Sequence, residues 1–122
     1  MQGRRIDRMG HLIQMELSQS ILTKLKDPRL GFVTITHVTI TPDMKEASVF
    51  FSVMGDEKKK EESKIALEHA KGFLQREIAT HLHLRFTPKL NFQYDDSLDR
   101  SFEIDRILKD IKKEGPDTLP GA

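Results

Sequence analysis

The stretch from Ile65 to Leu82, IALEHAKGFLQREIATHL, most strongly constrains what this chain can fold into. Its apolar residues recur at helical spacing, but Ala70-Lys71-Gly72 interrupts it near the middle. A glycine inside a helix costs about 1 kcal/mol relative to alanine. The pattern predicts a helix that breaks and restarts at Phe73, where free backbone N–H groups and a positive dipole end suit a phosphate. The same small residues also suit close packing without a ligand, and the sequence leaves both interpretations open.

The segments before this break predict one helix and a β-hairpin. Ile6, Met9, Ile13, Leu17, Ile21 and Leu25 form the apolar stripe of a first helix, which ends near Lys26 because Asp27 precedes a proline. Two β-branched strands follow, around residues 32–40 and 47–53, joined by the turn Thr41-Pro42-Asp43-Met44. The alternation of apolar residues shifts in the first strand, so we expect a bulge near Thr36-His37.

The segments after the break predict a third strand and a final helix. Leu90, Phe92 and Tyr94 alternate with polar residues behind Thr87-Pro88, and this parity places Phe92 and Tyr94 on a buried face. Ile104, Ile107, Leu108 and Ile111 mark the last helix, with Ser101 as its N-cap. The element order predicts an α+β domain in which a three-stranded sheet carries its helices on one face.

Length and composition indicate a single soluble domain. The 122 residues provide one core, which we place in residues 1–113, followed by a short mobile tail at 114–122. The chain has no cysteine, which excludes disulfides and thiolate metal sites. No apolar run approaches the length of a membrane span, and no apolar segment typical of a secretory signal follows the N-terminus. We therefore expect a cytoplasmic protein.

Basic side chains surround the predicted break. Lys60, Lys64 and Lys71 share one helical face, and positive charge continues through Arg76, Arg85 and Lys89. The first helix and its exit loop add Arg4, Arg5, Arg8, Lys24, Lys26 and Arg29. With acidic residues nearby, these lysines could form an ordinary solvated surface. Combined with backbone donors at the break, however, they favour binding to a nucleic-acid backbone.

Catalytic and metal-binding interpretations have weaker support. Asp95, Asp96 and Asp99 offer the hard oxygen ligands that Mg²⁺ prefers, but Asp and Ser in a turn more often cap backbone donors. His69, His81 and His83 could form a metal cluster, although such histidines near a helix end are usually surface residues. No phosphate loop, dinucleotide fingerprint or nucleophile constellation is present. We expect no catalysis, no bound metal and no cofactor.

The element order resembles that of the type II KH domain, an RNA-binding fold. The Gly-X-X-Gly loop usual in KH domains is replaced here by His69-Ala70-Lys71-Gly72-Phe73, and such an Ala-X-Gly kink is typical of the ribosome-binding factor A family. The resemblance runs from about Arg4 to Ile111. It also includes the segments Leu25–Phe32 (LKDPRLGF), Thr41–Asp43 (TPD), Thr87-Pro88 and Asp95–Asp99 (DDSLD).

The resemblance implies a monomeric factor that binds the small ribosomal subunit and its rRNA. It also implies assistance in late maturation, including processing of the rRNA 5′ end, importance in the cold, and release with the help of a ribosome-associated GTPase. His81 and His83 stand where relatives often carry arginine, so we expect RNA affinity to rise as pH falls.

We assign RNA binding to twelve residues: Ala70, Lys71, Gly72, Lys64, Arg76, Arg85, Lys89, Arg4, Arg5, Arg8, Lys26 and Arg29. The main alternative is a basic protein-interaction module that makes no direct RNA contact.

Overall fold

The computed structural model describes residues 2–97. The predicted final helix, the tail at 114–122 and Asp99 lie outside the described residues. The six elements are α1 (Gln2–Lys24), β1 (Phe32–Ile40), β2 (Glu46–Met54), α2 (Glu57–His69), α3 (Lys71–His81) and β3 (Lys89–Tyr94). Their order confirms the predicted α+β fold. Within residues 2–97, no helix has both the length and the apolar character needed to cross a membrane.

The three strands form one mixed sheet in the order β1-β2-β3. β1 and β2 form the predicted antiparallel hairpin, while β3 runs parallel to β2 after the crossover through α2 and α3. The β1–β2 register shifts between Ile35 and His37, which confirms the predicted bulge. The side-chain amide of Gln14 on α1 donates to the carbonyl of Ile35 at 3.1 Å, so the helix stabilises the strand beside this bulge.

The core lies between the helices and one face of the sheet. Phe51 is completely buried at its centre, and its ring makes edge-on contacts with Phe92 and Tyr94, at centroid distances of 6.5 and 5.7 Å. Phe92 is buried and Tyr94 is partly buried against the core, as the strand parity predicted. Both halves of the broken helix contribute to this core through fully buried side chains, Leu67 from α2 and Leu74 and Ile78 from α3.

Helix α2 begins at Glu57, so the charged run before Ile65 forms its first turns. Asp56 is the N-cap, and its carboxylate accepts the backbone N–H of Lys59 at 2.9 Å. The ammonium of Lys60 lies 4.9 Å from the centroid of the Tyr94 ring and contacts Glu57 at 3.3 Å. Lys60 is therefore turned toward the edge of the sheet, whereas Lys64 is exposed.

Gly10 allows α1 to approach β1 closely. A Cβ atom at this buried position would lie 3.0 Å from the carbonyl oxygen of Val38. Because that neighbour is backbone and cannot turn away, a side chain at position 10 would push the helix off the sheet. This glycine is required by packing, and it provides a standard against which Gly72 can be judged.

Candidate nucleic-acid interface

The break in the helical segment is confined to Ala70. This residue has φ −87° and ψ 0°, and its N–H donates to the carbonyls of Ala66 and Leu67 at 3.0 and 3.2 Å. Helix α3 begins at the next residue, Lys71, and the carbonyl of Ala70 accepts the N–H of Leu74. The predicted restart at Phe73 is thus wrong by two residues, because Ala70 stays close to helical geometry. No side chain caps the start of α3, whose first N–H groups have no partner within that helix.

Gly72 is exposed, and the fold does not require a glycine there. A Cβ atom at this position would meet only the guanidinium Nη1 of Arg76, at an ordinary contact distance of 3.6 Å. Its backbone is also free of the positive φ that favours glycine. The packing role at the break belongs instead to Ala70 and Phe73, which are partly buried against the core. The missing side chain at Gly72 therefore leaves backbone open to an external partner.

The loop between α1 and β1 faces the break and forms a groove with it. This groove, which we call the kink groove, has a volume of about 620 Å³ and is open to solvent. One wall comes from residues Leu25, Lys26, Asp27, Pro28 and Arg29, and the other from Ala66, His69, Ala70 and Phe73. Its lining combines apolar side chains with two cations, one aspartate and one histidine. The sequence indicated Lys26 and Arg29 as cations but did not show that their loop lies against the break.

Arg29 is fixed in the groove by two side chains, Asp27 and His69. Its Nε and Nη2 donate to the two carboxylate oxygens of Asp27 at 3.1 and 2.7 Å, and Nη2 also lies 3.1 Å from Nδ1 of His69. Asp27 further accepts the backbone N–H of Arg29 at 2.9 Å. The side-chain hydrogen bond from Arg29, followed by this backbone bond, lowers the pKa of Asp27 from 3.8 to about 2. The guanidinium is thus held in one orientation beside the end of α2.

Three further predicted cations lie on the two helices that meet at the break. Lys64 is exposed and makes no ion pair with residues 2–97. Lys71 pairs with Glu68 at 2.9 Å, so part of its charge is already neutralised. Arg76 is exposed, and its guanidinium extends back along α3 toward Gly72. These three side chains lie beside the break, whereas the cations that line the kink groove are Lys26 and Arg29, the latter paired with Asp27.

The remaining predicted cations lie away from the groove. Arg4, Arg5 and Arg8 are exposed near the start of α1, roughly 25 Å along the helix axis from its end beside the groove. Arg85 and Lys89 follow α3, whose 11 residues separate them from the break by roughly 16 Å. The twelve assigned residues therefore form one cluster at the break and the adjoining groove, and two outlying groups.

Two of the histidines considered as metal ligands, His69 and His81, occupy different surroundings. His69 contacts Arg29 at the end of α2, whereas His81 at the end of α3 contacts Glu16 through Nδ1 and lies 3.4 Å from Glu77. These two carboxylates already have other partners, since Ser20 donates to Glu16 at 3.2 Å and Lys24 pairs with Glu77 at 2.9 Å. A charged His81 would be offset by the glutamates, so it is poorly placed to attract RNA.

Asp95 acts as a turn residue in the described part of the chain. Its carboxylate accepts the hydroxyl of Thr36 at 2.6 Å and the backbone N–H of Ser97 at 2.9 Å. These bonds lower its pKa, with the hydrogen bond from Thr36 the largest cause. The arrangement agrees with the capping role and leaves the carboxylate committed to the turn after β3.

Comparison with known proteins identifies the family. The sequence model described as ribosome-binding factor A matches residues 5–108. The chain belongs to the ribosome-binding factor A family. Ribosome-binding factor A of Halothermothrix orenii is 40% identical over 114 residues, which cover 93% of each chain.

Two structures of this family resemble the chain. The crystal structure of ribosome-binding factor A from Thermus thermophilus has a TM-score of 0.65 and 26% identity, covering 73% of this chain and 94% of that one. A homology model of the Thermus thermophilus factor, fitted into a cryo-electron-microscopy map of a 30S complex, has a TM-score of 0.64 and 25% identity. It covers 75% of this chain and 96% of the other.

Proposed function

We propose that this protein is a non-catalytic assembly factor that binds the small ribosomal subunit and contacts its rRNA at the start of α3 and the adjoining kink groove. Its family supports the first part, since a relative has been placed in a 30S complex. The geometry at the break supports the second part, because an uncapped helix start with cationic side chains beside it offers the groups that bind phosphate.

The observation that carries the RNA contact is the environment of Gly72. Neither packing nor backbone strain within the described chain explains the glycine, although a glycine is unfavourable in a helix. Close approach of another molecule to the backbone does explain it. A phosphate group is the partner that suits the N–H groups of α3 together with the nearby guanidinium of Arg76.

The remaining parts of the proposal concern the role of this binding in the cell. The factor assists late maturation of the subunit, including processing of the rRNA 5′ end, and is needed most in the cold. It acts as a monomer in the cytoplasm and leaves the mature subunit with the help of a ribosome-associated GTPase. By binding rRNA without cleaving it, the factor would favour one conformation of the precursor for other enzymes to process.

Binding to purified immature small subunits, measured at several salt concentrations, tests the proposal. The logarithm of the binding constant should fall linearly with the logarithm of salt concentration, by about 0.7–0.9 for each phosphate neutralised. Gly72→Val should reduce affinity, whereas Ser18→Val, which introduces the same side chain at an exposed position on α1, should not.

Two other results would contradict the proposal in distinguishable ways. Binding that persists at high salt and does not require rRNA would indicate the alternative, a basic protein-interaction module. Cleavage of the precursor that depends on Mg²⁺ and disappears in Asp95→Asn or Asp96→Asn would indicate an enzyme.

A further inference from the structure

Phe86 projects into solvent from the loop between α3 and β3. Its exposed fraction is 82%, higher than that of any other large apolar side chain in residues 2–97. The guanidinium carbon of its neighbour Arg85 lies 5.7 Å from the ring centroid, a distance at which a cation and an aromatic face attract each other. The loop therefore presents an aromatic ring and a guanidinium together.

The loop that carries Phe86 is fixed on both sides. His83 adopts φ +53° just after α3, and the N–H of Leu84 then returns to the carbonyl of Ala79 at 3.0 Å. On the other side Pro88 is fully buried. Leu84 and Pro88 are four residues apart and both are held by the rest of the protein. Arg85 and Phe86 between them therefore have little freedom to fold against the surface, and the Phe86 ring stays exposed.

The surroundings of Phe86 carry more positive than negative charge. Arg85 and Lys89 are exposed, and the backbone N–H of Lys89 donates to the carbonyl of Lys45, which places a third exposed cationic residue on the adjoining turn. Two acidic residues accompany these three cations: Glu46 lies opposite Lys89 in the β2–β3 register, and Asp43 accepts the backbone N–H of Lys45 at 3.0 Å. A polyanion is thus favoured beside the exposed ring.

We propose that Phe86 and Arg85 bind an unpaired nucleobase by stacking. This inference rests on the proposed function and specifies its ligand: the bound RNA includes a single-stranded nucleotide beyond the kink groove. The exposed positions Gly72, Arg76 and Thr80 lead along α3 toward the loop, so one RNA segment can contact both places. Every base has a π face, so stacking on an aromatic ring selects for an unpaired base and against a duplex.

The absence of tryptophan from the chain allows a direct test. Phe86→Trp introduces a single indole at the proposed stacking position, and a base stacked on it should quench its fluorescence. Single-stranded rRNA fragments that bind the protein should quench this emission, and the same fragments with an abasic nucleotide at the contact should not. Met15→Trp, at a position that is 70% exposed on α1, provides the matched control and should remain bright.

Two substitutions of the exposed Phe86 that leave the fold intact provide a second test. Phe86→Leu should lower affinity for single-stranded rRNA on the order of tenfold, while Phe86→Tyr should retain it. Neither change should alter the melting temperature appreciably, because the side chain is exposed.

The inference fails separately from the proposed function. If RNA binds with the expected salt dependence, but Phe86→Trp is not quenched and Phe86→Leu binds normally, then stacking is refuted and the groove contact stands. Quenching by a fully paired duplex equal to that by a single strand would also refute it. If no RNA binds at all, the proposed function itself fails.

Discussion

Replacing Gly72 with alanine should stabilise the folded protein and weaken its binding to RNA. The added methyl group meets only the flexible end of Arg76, at 3.6 Å, so it introduces no steric cost. Alanine is favoured over glycine in a helix, and replacing a glycine at a compatible position contributes about 0.4–1 kcal/mol. For a domain of this size the melting temperature should rise by about 2–6 °C.

The loss of affinity follows from the position of the same methyl group. If a phosphate approaches the N–H groups at the start of α3, a methyl group at residue 72 displaces it. Loss of one hydrogen bond to a charged group costs about 1.5–3 kcal/mol, which corresponds to a decrease in affinity of about 10- to 100-fold. Gly72→Val should weaken binding further because its side chain is larger and branched.

Thermal unfolding and RNA binding, measured on the same preparations, check both effects. Gly10→Ala serves as a control for a packing glycine, since its methyl group would lie 3.0 Å from the Val38 carbonyl and should lower the melting temperature. A similar decrease for Gly72→Ala would show that this glycine also serves packing. Unchanged affinity in both Gly72 variants would refute the contact between the backbone and phosphate.

Three further outcomes follow from the structure. Lys64→Ala should reduce the slope of log affinity against log salt by about 0.7–0.9, whereas Lys58→Ala, an exposed change at the far end of α2, should leave it unchanged. The lowered pKa of Asp27 contributes stability that is present above pH 3.8 and is lost as pH falls toward about 2, so Asp27→Asn should flatten acid denaturation over that range. Phe51→Ala should cost about 3–5 kcal/mol in denaturant unfolding, because the ring is fully buried; a loss below about 1 kcal/mol would contradict the described core.

Local sequence signals predicted most of the fold in the described part of the chain. The shift in apolar parity around Thr36 predicted the bulge because alternate residues of a strand must face opposite sides of the sheet. The break at Ala70 was predicted because small residues interrupt an otherwise regular helical stripe. In both cases the responsible residues are neighbours in the sequence, so the pattern could be recognised without knowledge of tertiary contacts.

The arrangement of the candidate site depended on contacts between distant segments. The sequence analysis treated Lys60 and His81 as surface cations. In the structure Lys60 lies against Tyr94, and His81 lies against Glu16 and Glu77. It did not show that Arg29 meets His69, 40 positions away. Side chains of this kind acquire partners only when helices and loops pack together, and residue spacing along one element carries no signal for such pairs.

The central claim is that backbone N–H groups at the start of α3 bind an rRNA phosphate. The most direct test is to follow the backbone amide resonances of the ¹⁵N-labelled protein while a small-subunit rRNA fragment is added. The amides of Lys71, Gly72 and Phe73 should shift the most and exchange more slowly with solvent once RNA is bound. If these three amides remain unchanged while amides elsewhere respond, RNA binds at another surface and the start of α3 is not the interface.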